Sequence, residues 1–182
     1  MNDTLKVIDA RYSCRGYTDT PLTEEQIKAI AQAAVASPSA MNRQPWQVII
    51  VKDKKIVSDL DAAGMAAFAA SDDKSVYNRM MERGGKLFYN APCAVFIAIE
   101  PGAGLDCGIV CENIAIAAES MGLGSVICGL AGAVFSGDNG EKAKEMLKFP
   151  AGYTFGMAVL IGNPVQKGKP HEPDFSKVTY IG

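Results

Sequence analysis

The segment at residues 106–121 most narrows the folds open to this chain, because it must be buried on nearly every side. It is almost uncharged, and apolar residues at helical spacing run most of the way around it. That pattern is typical of a helix enclosed by other elements, and Gly122 directly after it is a suitable C-cap. We therefore predict a central helix with more apolar surface than one thin domain covers, which points to an oligomer.

Four apolar runs predict the strands that would enclose this helix. They are rich in β-branched residues and short enough to be buried strands, and they lie at residues 46–51, 93–99, 125–128 and 153–161. Helical patterns lie before and between these strands, at residues 4–10, 54–70 and 141–147, and a partly helical stretch lies at 71–85. Another helix begins after Thr23, which forms a capping box with Gln26, and ends near Ala36 because Pro38 follows. The 182 residues fit one domain better than two.

Composition excludes several classes of protein. The net charge of −2 argues against a nucleic-acid-binding face, which would need a basic surface. No apolar run approaches the roughly 20 residues of a membrane-spanning helix, and the first ten residues lack the pattern of a signal peptide. Five cysteines without C-x-x-C spacing predict no disulfide framework, and hence a reducing, cytoplasmic location. With a single histidine, we predict no metal site.

The first cluster with chemical potential is the segment R-Y-S-C-R at residues 11–15. In an extended segment, alternate residues share a side, so Arg11, Ser13 and Arg15 would face one ligand together. The planar guanidinium group suits phosphate because it donates two hydrogen bonds at once. The alternative interpretation is a solvated basic loop on the surface.

The second cluster is the loop S-P-S-A-M-N-R-Q-P-W at residues 37–46. Two prolines restrict its backbone, and small or amide side chains between them offer hydrogen-bonding groups. A rigid loop of this kind often carries a site. The alternative is an ordinary connection between a helix and a strand, with Trp46 in the core.

The third and fourth clusters lie in the second half of the chain. Residues 122–129 run G-L-G-S-V-I-C-G, where the first two glycines are explained by a helix cap and Gly129 would allow close approach of a planar ligand. Residues 162–164 form a G-N-P turn, and the basic residues Lys167, Lys169 and His171 follow it. This tail is either a hydrated basic segment or an arm that docks on its own body or on a second subunit.

Together and in this order, the four clusters resemble the nitroreductase family, from Arg11 to the end of the chain. The loop P-S-A-M-N-R-Q-P-W is the most specific part of the resemblance. The resemblance implies an α+β fold with a mixed central sheet flanked by helices. It also implies a homodimer in which the C-terminal arm crosses to the partner, and two FMN sites at the interface that use both chains.

The resemblance also implies roles for individual residues toward FMN. The phosphate end would be held by Arg11, Ser13, Lys169 and His171, the last at a position where many relatives have arginine. Basic residues beside the flavin pyrimidine edge would be Arg15 and Lys86. The residues that reach the flavin of the other subunit would be Pro38, Ser39, Ala40 and Asn42. Backbone amides near flavin N5 and the C4 carbonyl would belong to Cys128 and Gly129.

The expected function is an FMN-dependent NAD(P)H oxidoreductase that reduces nitroaromatics, quinones or similar small-molecule acceptors by ping-pong hydride transfer. The flavin would carry the chemistry, so no side chain is assigned as a catalytic acid or base. One alternative is a flavin-binding or flavin-modifying protein of the same fold with little turnover. Two others are a ligand-binding module without catalysis and a thiol redox protein that uses Cys107 and Cys111.

Overall fold

A four-stranded antiparallel sheet forms the centre of the chain in a computed structural model that describes residues 1–137 and 140–182. The strands are β1 (Trp46–Val51), β2 (Cys93–Ile99), β3 (Gly124–Cys128) and β4 (Thr154–Gly162), in the order β1-β2-β4-β3. All three strand pairings are antiparallel, and the parallel pairing within the described ranges is the isolated bridge between Ser13 and Ser125. The α+β fold is confirmed, whereas the expected mixture of strand directions reduces to this one bridge.

Helices cover both faces of the sheet, close to the predicted positions. They are α1 (Asp3–Ala10), α2 (Glu24–Val35), α3 (Lys54–Ala70), α4 (Ser75–Glu82), α5 (Gly104–Ser120) and α6 (Gly140–Met146). The capping box of Thr23 and Gln26 is present at the start of α2, and the carboxylate of Asp53 caps α3. A 3₁₀ turn at Gly129–Phe135 follows β3 directly.

Each face of the sheet has its own apolar core, because alternate residues of a strand point to opposite sides. On one face, Val95 and Ile97 pack with residues of α2 and α5. On the other, Phe96 packs with α3 and with Phe88, whose ring centroid is 6.0 Å from its own. Every residue of β2 is therefore buried.

Helix α5 is buried against the sheet, as predicted, but one stripe of it faces solvent. Leu105 is 88% exposed and Ile109 is also exposed. Helix α1, which packs beside α5, exposes Leu5 and Ile8. The chain therefore carries an apolar face on these two helices that it does not itself cover.

The segment after β4 consists of two parts with different surroundings. Residues 163–170, the proximal tail, pack along the chain: Tyr17 pairs with Pro164 in an isolated bridge, and Val165 N–H donates to the Gly16 carbonyl at 3.1 Å. Residues 171–182, the distal tail, are exposed throughout.

No helix within the described ranges is long and apolar enough to cross a membrane.

Candidate functional site

Residues 11–17, the N-terminal segment, are fixed to the sheet by backbone and side-chain hydrogen bonds. Cys14 N–H donates to the Ser125 carbonyl at 2.8 Å. The Tyr17 hydroxyl is within hydrogen-bond distance of the carbonyls of Cys14, at 2.9 Å, and Leu160, at 3.2 Å. Burial raises the pKa of Tyr17 far above the ordinary tyrosine value, so this hydroxyl stays a donor.

Burial alternates along the N-terminal segment, as expected for extended backbone. Tyr12 and Cys14 are buried, while Ser13 and Arg15 are exposed. The side chains of Ser13 and Arg15 therefore lie on the outward side of the segment, and the sheet fixes their backbone. The predicted alternation of the segment is confirmed, and that its outward residues face one ligand stays a prediction.

The first cavity, which we call the tail cavity, lies between the N-terminal segment and the proximal tail. It has a volume of about 510 Å³ and is lined by residues 12–16 and by Val165, Gln166, Gly168 and Lys169. Three predicted site residues, Ser13, Arg15 and Lys169, come together here. None of these lining residues is acidic; Lys169 forms an ion pair of 2.8 Å with Glu172 at the start of the distal tail. A cationic, hydroxyl-bearing cavity of this kind fits a phosphate group.

Two residues predicted to hold the same phosphate lie outside the lining of the tail cavity. The Arg11 side chain is 19% exposed, and its Nε is 3.8 Å from Glu112 Oε1 on α5. His171 lies in the exposed distal tail. Their roles toward FMN stay predictions.

The second cavity, which we call the α3 cavity, has a volume of about 540 Å³ and lies against the first half of α3. Its lining includes the predicted site residue Lys86 together with Asp61, Thr18 and Asn90. The Lys86 Nζ is 3.6 Å from Asp61 Oδ2. The N-terminal segment connects the two cavities, since residues 12–16 line the first and Tyr17 lines the second.

Cys128 is the last residue of β3. Its thiol is affected by one charged residue from each cavity, Arg15 and Asp61. Burial raises the pKa of the Cys128 thiol, while hydrogen bonds from the amides of Ala131 and Leu130 and the charge of Arg15 oppose that effect. Asp61 acts in the same direction as burial. Gly129 lines a separate shallow pocket beside Phe68, on the other half of α3.

The loop at residues 38–44 is exposed and has an unusual backbone. Met41, Asn42 and Gln44 have φ values of 52°, 53° and 49°, in the left-handed region that side chains disfavour. Ser39 Oγ accepts the Gln44 N–H at 2.8 Å, and Arg43 Nη2 donates to Glu100 Oε2 at 2.7 Å. Trp46 is in the core, as the alternative interpretation of this loop requires.

Four residues of this loop were predicted to contact a flavin in the other subunit. They are Pro38, Ser39, Ala40 and Asn42, and they line neither the tail cavity nor the α3 cavity of their own chain. Met41 between them is 90% exposed. These four residues therefore lie outside both cavities of their own chain.

The two cysteines of the thiol redox alternative are buried within α5. Cys107 and Cys111 are both inaccessible to solvent. The hydrogen bond with Cys107 and burial raise the pKa of Cys111. The same hydrogen bond lowers the pKa of Cys107. Thiols enclosed in the core are inert because reactants do not reach them, so the burial of both cysteines disfavours a thiol redox function. The described ranges also contain no group of three or more side chains that could hold a metal ion.

Sequence reasoning missed two residues that shape the cavities. Gly168 lies against the Tyr12 ring, where an added Cβ would be 2.3 Å from Tyr12 Cδ2; nothing in the spacing indicates this close approach. Asp61 is buried on the core-facing side of α3, between Val57 and Met65. An acidic residue at an apolar helical position was a signal that could have found it.

This chain is similar to known proteins in both sequence and structure. Residues 8–163 match the model of the Nitroreductase family. The protein named FMN reductase [NAD(P)H] of Bacillus subtilis is 31% identical, over 95% of this chain and 71% of its own length.

Two solved structures superpose on the whole chain. A nitroreductase with bound FMN from Desulfitobacterium hafniense has a TM-score of 0.97 at 48% identity, with 100% of both chains covered. A nitroreductase with bound FMN from Bacteroides fragilis has a TM-score of 0.89 at 27% identity, also with 100% of both chains covered.

Proposed function

Because this chain belongs to the nitroreductase family, we propose that it is an FMN-dependent NAD(P)H oxidoreductase that reduces nitroaromatics, quinones or similar acceptors. The names of its relatives support the cofactor and the electron donor: two similar structures contain FMN, and the Bacillus subtilis relative is named for FMN and NAD(P)H. The acceptor class follows from the resemblance of the four sequence clusters.

The observation that carries this proposal is the composition of the tail cavity. Ser13, Arg15 and Lys169 come from opposite ends of the chain and line one cavity. The Ser13 hydroxyl and the Lys169 ammonium suit a phosphate dianion, since charge-assisted hydrogen bonds are about twice as strong as neutral ones. FMN ends in such a phosphate. The Arg15 guanidinium adds positive charge to the same cavity, on the side predicted to meet the flavin ring.

The side chains bind and tune the cofactor, and the cofactor supplies the redox step. The chemistry that FMN would supply when bound is ping-pong hydride transfer from NAD(P)H to the acceptor. Ser13 and Lys169 would hold the phosphate, with Arg11 and His171 as further predicted ligands. Arg15 and Lys86 would place positive charge near the flavin ring, and the amides of Cys128 and Gly129 would donate to its polar edge.

The proposal includes a homodimer in which each site uses both chains. Three features of the single chain support it: the exposed apolar face of α1 and α5, the exposed loop at residues 38–44, and the exposed distal tail. In the dimer, Pro38, Ser39, Ala40 and Asn42 would contact the flavin of the partner. A cytoplasmic location is supported by the five cysteines, all of which are free thiols.

The test is an absorbance spectrum of the purified protein before and after anaerobic addition of NADH or NADPH. We expect the yellow spectrum of bound oxidised FMN, its bleaching by the nicotinamide, and its return when a nitroaromatic or quinone is added. Flavin that binds but does not bleach would favour the alternative of a binding protein with little turnover. A colourless protein that ignores added FMN would contradict the proposal.

A further inference from the structure

Asp61 is the one charged side chain that is buried within the described ranges, at 4% exposure. It lies on α3 with Val57, Leu60 and Met65 as the neighbouring buried residues of the helix. Removing a carboxylate from water is unfavourable by several kcal/mol unless partners compensate for it. A buried carboxylate in the wall of a cavity therefore requires partners that compensate for its charge. Titratable groups of this kind cluster at functional sites.

Both oxygens of Asp61 have partners, and both partners belong to the same short stretch of chain. Oδ1 accepts the Phe88 N–H at 2.6 Å, and Oδ2 is 3.6 Å from the Lys86 Nζ. The turn that follows is strained, with Tyr89 and Asn90 at φ values of 53° and 59°. Asp61 thus fixes both the backbone after Lys86 and the ammonium of Lys86.

An asparagine at this position would still accept the Phe88 N–H, through a weaker, neutral hydrogen bond. The ion pair with Lys86 is the contact that requires the negative charge of Asp61. The Lys86 side chain is 43% exposed and lines the α3 cavity, so its charge faces whatever occupies that cavity. The carboxylate behind it holds the ammonium in place and offsets part of its field.

We propose that Asp61 is a positioning residue that holds the Lys86 ammonium at the α3 cavity and sets the reduction potential of the bound flavin. This inference rests on the proposed function and on the predicted place of Lys86 beside the flavin ring. The Asp61–Lys86 pair presents a weak net field, whereas Lys86 alone would present a full positive charge. Positive charge favours reduced, anionic flavin over oxidised flavin, so Asp61 keeps the bound flavin the stronger reductant.

The experiment is a measurement of the midpoint potential of bound FMN in the holoprotein and four variants. In Asp61→Asn the charge of Lys86 is unmasked, and we expect reduced flavin to gain at least tenfold in binding relative to oxidised flavin. For a two-electron couple, that is a potential about 30 mV more positive. In Lys86→Gln the buried carboxylate loses its counter-charge, and we expect a more negative potential.

The double variant Asp61→Asn with Lys86→Gln removes both charges and should return close to the wild-type potential. Asp59→Asn is the matched control, because Asp59 lies on the same helix in an exposed pair with Lys55; its potential should equal that of the wild type. Lys86→Gln changes a half-exposed residue, so it tests the inference even where Asp61→Asn does not fold.

Three outcomes would overturn the inference. One is an unchanged potential in Asp61→Asn, and another is an unchanged potential in Lys86→Gln, in each case with FMN still bound. The third is a shift in Asp61→Asn that persists in the double variant, because the effect would then not pass through Lys86. In all three cases the wild-type protein would still bind and reduce FMN, whereas a wild-type protein without FMN would overturn the proposed function as well.

Discussion

The proximal and distal tails are consecutive in sequence, but the proximal tail packs against the rest of the chain and the distal tail is exposed. The proximal tail is pinned along the N-terminal segment: Gly168 lies against the ring of Tyr12, and the Tyr12 hydroxyl is 3.4 Å from the Gln166 carbonyl. The distal tail exposes Phe175, Val178, Tyr180 and Ile181, the last at 96%. Each contains proline and lysine, but apart from proline the proximal tail has a single large apolar residue, Val165.

The two parts of the tail are therefore suited to two different tasks. The proximal tail closes the tail cavity within its own chain, and it brings Lys169 to Ser13 and Arg15. The distal tail carries apolar side chains that its own chain leaves uncovered, and these are suited to burial against a second copy. Four experiments test this division, and each acts on one side of it.

Deletion of residues 171–182 should have the largest effect, on the dimer. Burial of a large apolar side chain contributes about 1.5–3 kcal/mol, so losing four of them should weaken dimerisation by roughly a thousandfold or more. Sedimentation equilibrium measures this, with Lys177→Ala in the distal tail as the control of unchanged affinity. A truncated chain that dimerises as tightly as the full chain would remove the distal tail from the interface.

Gly168→Val should displace the proximal tail, because an added Cβ would be 2.3 Å from the Tyr12 ring. Overpacking of this kind is unfavourable by about 1–3 kcal/mol, and we expect FMN affinity to fall by roughly tenfold to a hundredfold with the dimer retained. Thr179→Val places the same side chain at an exposed, uncharged position of the distal tail and should leave FMN affinity unchanged. Equal FMN affinity in both variants would mean that the Gly168 contact does not shape the cavity.

Arg15→Ala and Lys169→Ala should each weaken FMN binding by about tenfold or more, because a hydrogen bond to a charged group contributes about 1.5–3 kcal/mol. Titration of FMN into apoprotein, followed by quenching of flavin fluorescence, gives the affinity. Added salt should reduce the loss, since it screens charges at an open cavity. Lys177→Ala serves again as control, and a loss of the same size in that variant would contradict a specific role for Lys169.

The smallest effect concerns Tyr17, which joins the N-terminal segment to β4 and to the start of the proximal tail. Because burial raises its pKa in the folded state, Tyr17 stabilises the fold fully below the pKa of an unfolded tyrosine, 10.0, and loses that contribution as pH rises above it. Tyr17→Phe should lower the free energy of unfolding at pH 8 by about 1 kcal/mol.

Denaturant titrations at pH 8 and pH 10.5 measure this dependence. The stability of Tyr17→Phe should fall less over that interval than the stability of the wild-type protein. A variant with the same decline as wild type would show that other groups control the alkaline loss of stability.

Sequence predicted the elements well because their determinants are local. The Thr23 capping box, the apolar run of β2 and the alternation of Tyr12, Ser13 and Cys14 each depend on neighbours in the chain, and the structure confirms them. The site was predictable only in part. The family resemblance implied that Ser13 and Lys169 share one phosphate, with the C-terminal arm on the partner subunit, whereas the structure brings them together within one chain. The contacts that do so, such as Gly168 on Tyr12, join residues more than 150 positions apart.

The contacts of single side chains were beyond sequence reasoning for the same reason. Arg11 shares the spacing of Ser13 and Arg15, yet its guanidinium lies beside Glu112 of α5, a residue that no local pattern places there. Asp61 has charge compensation only because the turn after Lys86 folds back over α3. Long-range packing decides such partners, and spacing along the chain does not encode it.

The left-handed backbone of the loop at residues 38–44 has a consequence for assembly. Non-glycine residues in this region are strained by about 1–3 kcal/mol each, and Met41, Asn42 and Gln44 are held there before any partner arrives. A segment that is already ordered loses little conformational freedom when it docks. In the proposed dimer, this loop would therefore contact the partner subunit with a small loss of entropy, and its fixed shape would favour one relative placement of the two chains.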